Sequence, residues 1–146
     1  MNREILFRGK SSDNDEWVEG YLHKNRNPFE KNYYIDTLKT DKIKIGKIDD
    51  FTVLKCVTEM VEPETIGQYT GLKDKNGNKI FEGDILQNKT NEYYKGNVIV
   101  IYNNKQARFE VDTSIKCCHK DLPTMLSRDF EVVGNIYDNP ELLEGK

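Results

Sequence analysis

Polar and apolar positions alternate along much of this chain with a period near two, the spacing of strands that bury one face. Residues 4–10 set Ile5 and Phe7 on one face and Leu6 and Arg8 on the other. The turn-formers Ser11-Ser12-Asp13-Asn14-Asp15 then lead to a return strand, Trp17-Val18-Glu19-Gly20-Tyr21-Leu22. This predicts an N-terminal hairpin, with Trp17 as its large apolar anchor. Beyond a polar loop around Pro28, a second extended run starts at Tyr33-Tyr34-Ile35. Residues 42–48 alternate lysine and isoleucine like an edge strand whose charges discourage pairing with strangers. Residues 51–61 carry Val, Thr and Phe nearer to period two than to 3.6, which favours a strand over a helix capped by Asp49 and Asp50. Pro63 stops it.

The densest turn signal lies in residues 65–86, TIGQYTGLKDKNGNKIFEGDIL. Asn76-Gly77 supplies the positive φ of a tight turn, so Lys79-Ile80-Phe81 folds back on Tyr69-Thr70-Gly71-Leu72. Gly83-Asp84 makes a second bend, and Tyr69, Ile80 and Ile85 are its core residues. The run NVIVIY at 97–102 is the most strand-prone in the chain. A turn at Asn103-Asn104 pairs it with 107–111, and these two are expected to be central strands. A short helical turn is expected over 120–127 and a last strand over 130–136. Asn139 and Pro140 open a terminal helical turn that must dock through Leu142 and Leu143 to persist. The fold class is therefore mainly β: antiparallel hairpins with short helical turns only.

Length narrows this to one compact unit, with N-terminal hairpins over 1–62 packed on a barrel portion over 63–146. The net charge of −3 exerts no general pull toward nucleic acid or anionic membranes. The opening residues lack the apolar segment of a signal peptide, and no apolar run approaches the ~20 residues that span a bilayer, so a cytoplasmic protein without a membrane partner is expected. Three cysteines, two of them adjacent, argue against a disulfide framework.

Candidate chemistry is sparse. Asp13, Asp15 and Glu16 lack the glycine and distal glutamate of a calcium loop, and the glycine in 74–78 comes too early for one. Cys117-Cys118-His119 offers two ligands on one face, short of the four that structural zinc needs. Asp74, Glu82 and Asp84 gather around the central turns, where carboxylates serve mostly as turn-formers. No phosphate loop, nucleophile elbow or zinc-protease motif is present, so neither an enzyme nor a cofactor is expected. Lys39, Lys42, Lys44 and Lys47 form a basic strip that suits phosphate contact, against which Asp36, Asp41, Asp49 and Asp50 cancel much of the field.

The run Pro63-Glu64-Thr65-Ile66-Gly67-Gln68-Tyr69-Thr70-Gly71-Leu72-Lys73-Asp74-Lys75-Asn76-Gly77, continuing Lys79-Ile80-Phe81-Glu82-Gly83-Asp84-Ile85, resembles the signature of the YopX family. The segments at 3–22 and 133–143 resemble that family's opening and close, so the resemblance spans nearly the whole chain. It implies a small bacteriophage or prophage protein, cytoplasmic in its bacterial host, of unassigned activity. It also implies coiled antiparallel sheets containing an SH3-like barrel, and it supplies no catalytic residues.

The leading functional expectation is a non-catalytic protein-binding or assembly module, a homo-oligomer that meets a phage or host protein. Aromatics in or near loops, Phe29, Tyr33, Tyr34, Tyr93, Tyr94 and Tyr102, suit protein contacts. The alternative is single-stranded nucleic-acid binding, with tyrosines stacking on bases beside the Lys39–Lys47 strip. A carboxylate-dependent hydrolase at Asp74, Glu82 and Asp84 is a distant third. Glu64, Thr65 and Gln68 have no turn-forming task in the signature and form the candidate shared binding site.

Overall fold

The computed structural model describes residues 4–25, 32–45, 48–88, 96–112 and 130–143, with 40–45 and 48–53 described as backbone only. The described strands are β1 (Phe7–Lys10), β2 (Trp17–Lys24), β3 (Tyr33–Ile45), β4 (Ile48–Val61), β5 (Gly67–Lys73), β6 (Lys79–Phe81), β7 (Asp84–Asn88), β8 (Gly96–Asn103), β9 (Arg108–Asp112) and β10 (Phe130–Asn135). Two 3₁₀ turns, Pro63–Thr65 and Pro140–Leu143, are the only helical elements among the described residues. The protein is mainly β and antiparallel, as the alternation predicts. Its contacts divide it into two units, one of Leu6–Ile66 and one of Met1–Ile5 with Gly67–Lys146. The expected loop around Pro28, the helical turn at 120–127, Phe29, Lys47, Tyr93, Tyr94 and Cys117-Cys118-His119 lie outside the described residues.

The first unit is a meander in which β1 pairs with β2, β2 with β3 and β3 with β4. Ile35 and Val61, fully shielded, mark its inner face. A Cβ on Gly20 would run into the Asp36 carbonyl oxygen, so this glycine permits the close approach of β2 and β3. Trp17 is not the core anchor. It is half-buried on the other face, where the Arg8 guanidinium lies 4.8 Å from its ring centroid and the Lys10 ammonium 5.9 Å. The strand keeps its two-residue period, but the aromatic belongs to the face that carries charges.

The second unit is built on the expected hairpin of β5 and β6, but the loop is longer than a two-residue turn. The Asp74 N–H donates to the Asn78 carbonyl at 2.8 Å, and Gly77 has φ +87°. Tyr69 opposes Phe81 and Lys73 opposes Lys79, leaving extra residues in β5 as a bulge at Gly71, φ +87°. The Thr70 hydroxyl fills the gap in the ladder, donating to the Ile80 carbonyl at 2.8 Å and accepting from the Leu72 N–H at 3.2 Å. Gly83, φ +84°, turns β6 into β7. Its N–H donates to Val100 and its carbonyl accepts from Ile136, both at 2.9 Å.

A four-stranded sheet follows in the order β10-β7-β8-β9. Among the described strands β7 and β8 are central, and β9 is an edge rather than the central strand its sequence suggests. The sheet does not close into a barrel among the described strands. Ile80, Leu86, Val98, Val100, Val111 and Phe130 form the core cluster, with Leu72 and Val132 packed against it. Tyr69, Ile80 and Ile85 are all buried. The terminal 3₁₀ turn is held by the Asn97 side-chain amide, which donates to the Leu142 carbonyl at 2.7 Å.

Candidate functional site: a groove beside strand β5

The signature residues of β5 line one wall of a groove in the second unit. Gln68, Thr70 and Leu72 face Tyr102, Ala107, Arg108 and Phe109 from the β8–β9 hairpin across a volume of about 320 Å³. The register places Tyr102 opposite Phe109, and their rings meet edge to face at 5.1 Å. Tyr102 keeps 37% of its surface exposed. The Asn103 side chain fixes the turn of this hairpin. The Asn103 side-chain oxygen accepts from the Lys105 N–H at 2.9 Å and the Gln106 N–H at 3.3 Å, and Ala107 takes φ +53°. Arg108 lies 3.6 Å from the nearly buried Glu110, which also accepts from the Asn103 amide at 2.8 Å. A smaller cavity under the groove shares Thr70, Leu72 and Phe109 and reaches Ile80, Leu86 and Val100. The floor thus lies directly over the core, with an amide, a hydroxyl and a guanidinium on the rim. That is the make-up of a surface that receives an apolar side chain and fixes it with a few polar contacts.

The three residues singled out in the signature separate. Gln68 lines the groove. Thr65 is buried and belongs to the other unit. Its hydroxyl accepts from the Lys10 N–H at 2.9 Å and donates to the Glu62 carbonyl at 2.8 Å, an architectural task the sequence does not show because Lys10 lies so far away along the chain. Glu64 is exposed in the first turn of the Pro63–Thr65 segment.

Two of the three carboxylates of the central turns, Asp74 and Asp84, accept from backbone N–H groups. Asp74 is buried and accepts from the N–H groups of Asn76 (2.9 Å), Asn78 (2.8 Å) and Val132 (3.1 Å), and from the Asn78 amide at 3.1 Å. Burial pushes its carboxyl up, but these donors override burial and hold it below the usual carboxylate range. Asp84 is fully shielded and accepts from the Phe81 N–H at 2.7 Å. Among the described residues, no three His, Cys, Asp or Glu side chains converge as a metal site would require. Asp15, in the N-terminal acidic loop, is paired with Lys10 at 3.2 Å.

In the basic strip, Lys39 is paired with Glu59 at 3.6 Å. Lys42 and Lys44 lie in β3, where only the backbone is described, and Lys47 falls outside the described residues.

One cluster escaped the sequence reading. On the meander, His23 Nδ1 lies 3.3 Å from Asp36 Oδ2, the Thr58 hydroxyl donates to Asp36 Oδ1 at 2.6 Å, and the His23 ring stacks on Tyr34 at 5.6 Å. Asp36 and Thr58 are register partners and His23 is diagonal to Asp36, so only the strand pairing brings the three together. The Thr58 hydroxyl donates to Asp36 and not to the His23 imidazole, so the three are not in the nucleophile–histidine–acid order of a relay. The array reads as cross-strand pairing on an exposed sheet face.

Comparison with known proteins adds a family and a fold. The family model described as YopX protein matches residues 6–144. The chain is also similar to the crystal structure of protein EF1440 from Enterococcus faecalis, at 25% identity and a TM-score of 0.54, covering 97% of this chain and 99% of that one. No curated protein matches the chain.

Proposed function

The chain belongs to the YopX family, and on that footing we propose that it is a non-catalytic protein-binding module, carried by a phage or prophage and working in the cytoplasm of the bacterial host. The observation that carries this reading is the groove. Three alternating positions of the family-type signature, Gln68, Thr70 and Leu72, share it with two aromatics and an arginine. Aromatic and arginine side chains over an apolar floor are the residues that anchor protein contacts. The Thr70 hydroxyl has a ladder task as well, whereas among the described residues the Gln68 side chain makes no hydrogen bond in the ladder.

The non-catalytic part of the reading is supported by the carboxylates. Asp74 spends both oxygens on donors from its own turn and from Val132 of β10, and Asp84 accepts the Phe81 N–H. Single-stranded nucleic-acid binding is less well supported, because Lys39 of the basic strip is already answered by Glu59. No helix among the described residues is long and apolar enough to cross a membrane.

The reading is tested by capturing partners from phage-carrying bacteria with the wild-type protein and with the Gln68→Ala/Tyr102→Ala variant. A protein retained by the first and lost from the second is the expected result. Equal recovery on both, or recovery only of nucleic acid, overturns it.

A further inference from the structure

We propose that Asn76 is a deamidation site held in check by Asp74. The closed loop blocks attack of the Gly77 nitrogen on the Asn76 side chain, and the reaction, where it proceeds, undoes the tie between this loop and β10.

Residues 76–77 are the one Asn-Gly pair in the sequence. In such a pair the backbone nitrogen of the glycine can close a five-membered ring on the asparagine side chain, because the glycine has no side chain to obstruct it. Both residues are exposed, and a Cβ built on Gly77 meets nothing within 4 Å. The Asn76 side-chain amide makes no hydrogen bond among the described residues. Access therefore does not protect this pair.

The chemistry balances with water alone. The Gly77 nitrogen gives its proton to water and bonds to Asn76 Cγ. The Cγ–Nδ2 bond breaks, and Nδ2 leaves, reprotonated, as ammonia. Water then adds to either carbonyl of the succinimide and opens the ring. One product is aspartate at position 76. The other is isoaspartate, whose main chain runs through Cβ and Cγ and is one carbon longer.

The hydrogen bonding of the loop stands against the first step. The Gly77 N–H donates to the Asp74 carbonyl at 3.0 Å, so the proton that must leave is held. The Asp74 carboxylate lies in the same loop, 2.9 Å from the Asn76 nitrogen and 2.8 Å from the Asn78 nitrogen. Asp74 is only 5% exposed, so its charge is poorly screened. A second negative charge on the Gly77 nitrogen, or on the oxygen of the tetrahedral intermediate, is disfavoured beside it. Strand β10 keeps the loop closed through the Val132 N–H on Asp74 and the Phe130 carbonyl on the Lys75 N–H.

The products act the other way. Aspartate at position 76 sets a second carboxylate beside Asp74. Isoaspartate lengthens the turn that gathers the Asn76 and Asn78 N–H groups around Asp74. Either change weakens the clamp, so a modification at one exposed side chain is felt as lost contact between the β5–β6 hairpin and β10.

The test follows Asn76 in the full chain at neutral pH by peptide mass spectrometry, folded and in urea, for the wild type and for Asp74→Ala. Alanine removes the carboxylate without adding an amide. Asn76 is expected to react at least about 10-fold more slowly in the folded wild type than in urea, and about 10-fold faster in folded Asp74→Ala than in the folded wild type. Equal rates in the folded and unfolded wild type, or no acceleration in folded Asp74→Ala, overturn the proposal. Should Asp74→Ala not fold, exchange of the Gly77 amide in the wild type decides, because it needs release of the same N–H. Its protection factor is expected to match the slowing of Asn76. A protected Gly77 amide beside a freely reacting Asn76 overturns the proposal. Deamidated wild type, separated by its added charge, is expected to unfold at lower urea than the unmodified chain, and an equal midpoint overturns the loss of contact with β10.

Discussion

The carboxylate of Asp74 accepts the Val132 N–H at 3.1 Å, joining a turn and a strand 58 residues apart in the chain. The same side chain closes its own loop through the N–H groups of Asn76 and Asn78. One buried acid thus holds the β5–β6 hairpin and docks it against β10, which also receives the Lys75 N–H at the Phe130 carbonyl (3.2 Å) and the Lys75 ammonium at Glu131 (2.9 Å).

Replacing Asp74 by asparagine puts an amide N–H₂ where two donors already point. The expected loss is about 2 kcal/mol of stability, read as a lower urea midpoint with an unchanged slope. The pH dependence has a definite sign. The folded carboxyl is held below its unfolded value of about 3.9, so its contribution is full above that value. It is lost as the pH falls through the folded value. Unfolding midpoints of the wild type are expected to drop across this acidic window more steeply than those of Asp74→Asn.

Thr65→Val keeps the shape of a buried side chain and removes its hydroxyl. The Lys10 N–H then loses its acceptor, at an expected cost of roughly 1–3 kcal/mol. Partner capture by the folded variant is expected to be unchanged, which separates Thr65 from Gln68.

Two glycines test the backbone argument. Gly20→Ala drives a methyl into the Asp36 carbonyl and is expected to cost about 3 kcal/mol through disturbed β2–β3 pairing. At Gly77 an added Cβ meets nothing within 4 Å, so only its positive φ resists. Gly77→Ala is expected to cost about 1 kcal/mol. Thermal unfolding of the two variants should rank them in that order.

Much of the fold is legible in the alternation because each strand's face is a local property. The strands over 17–22 and 51–61 and the pairing of β5 with β6 read correctly from it, whereas the face that Trp17 takes and the length of the loop at Asn76-Gly77 do not. What depends on strand order is not local. The run at 107–111 is expected to be a central strand beside β8, yet β9 is an edge among the described strands, because β7 and β8 are the strands with neighbours on both sides. Asp74 reads as a turn-former and is one, but its burial follows from β10, far along the chain. Gln68 stands out in the signature by lacking a turn-forming task, while Tyr102, Arg108 and Phe109 gain meaning only when the β8–β9 hairpin faces β5. The His23–Asp36–Thr58 array likewise exists only in the register of three strands.

The most direct measurement is amide hydrogen exchange on the complex of this protein with a captured and purified partner. Protection gained over residues 68–72 and 102–109, with no change across β2 and the paired part of β3, is the expected footprint of groove binding. A footprint confined to the meander, with the groove amides exchanging as they do in the free protein, would contradict the assignment of the groove as the binding site.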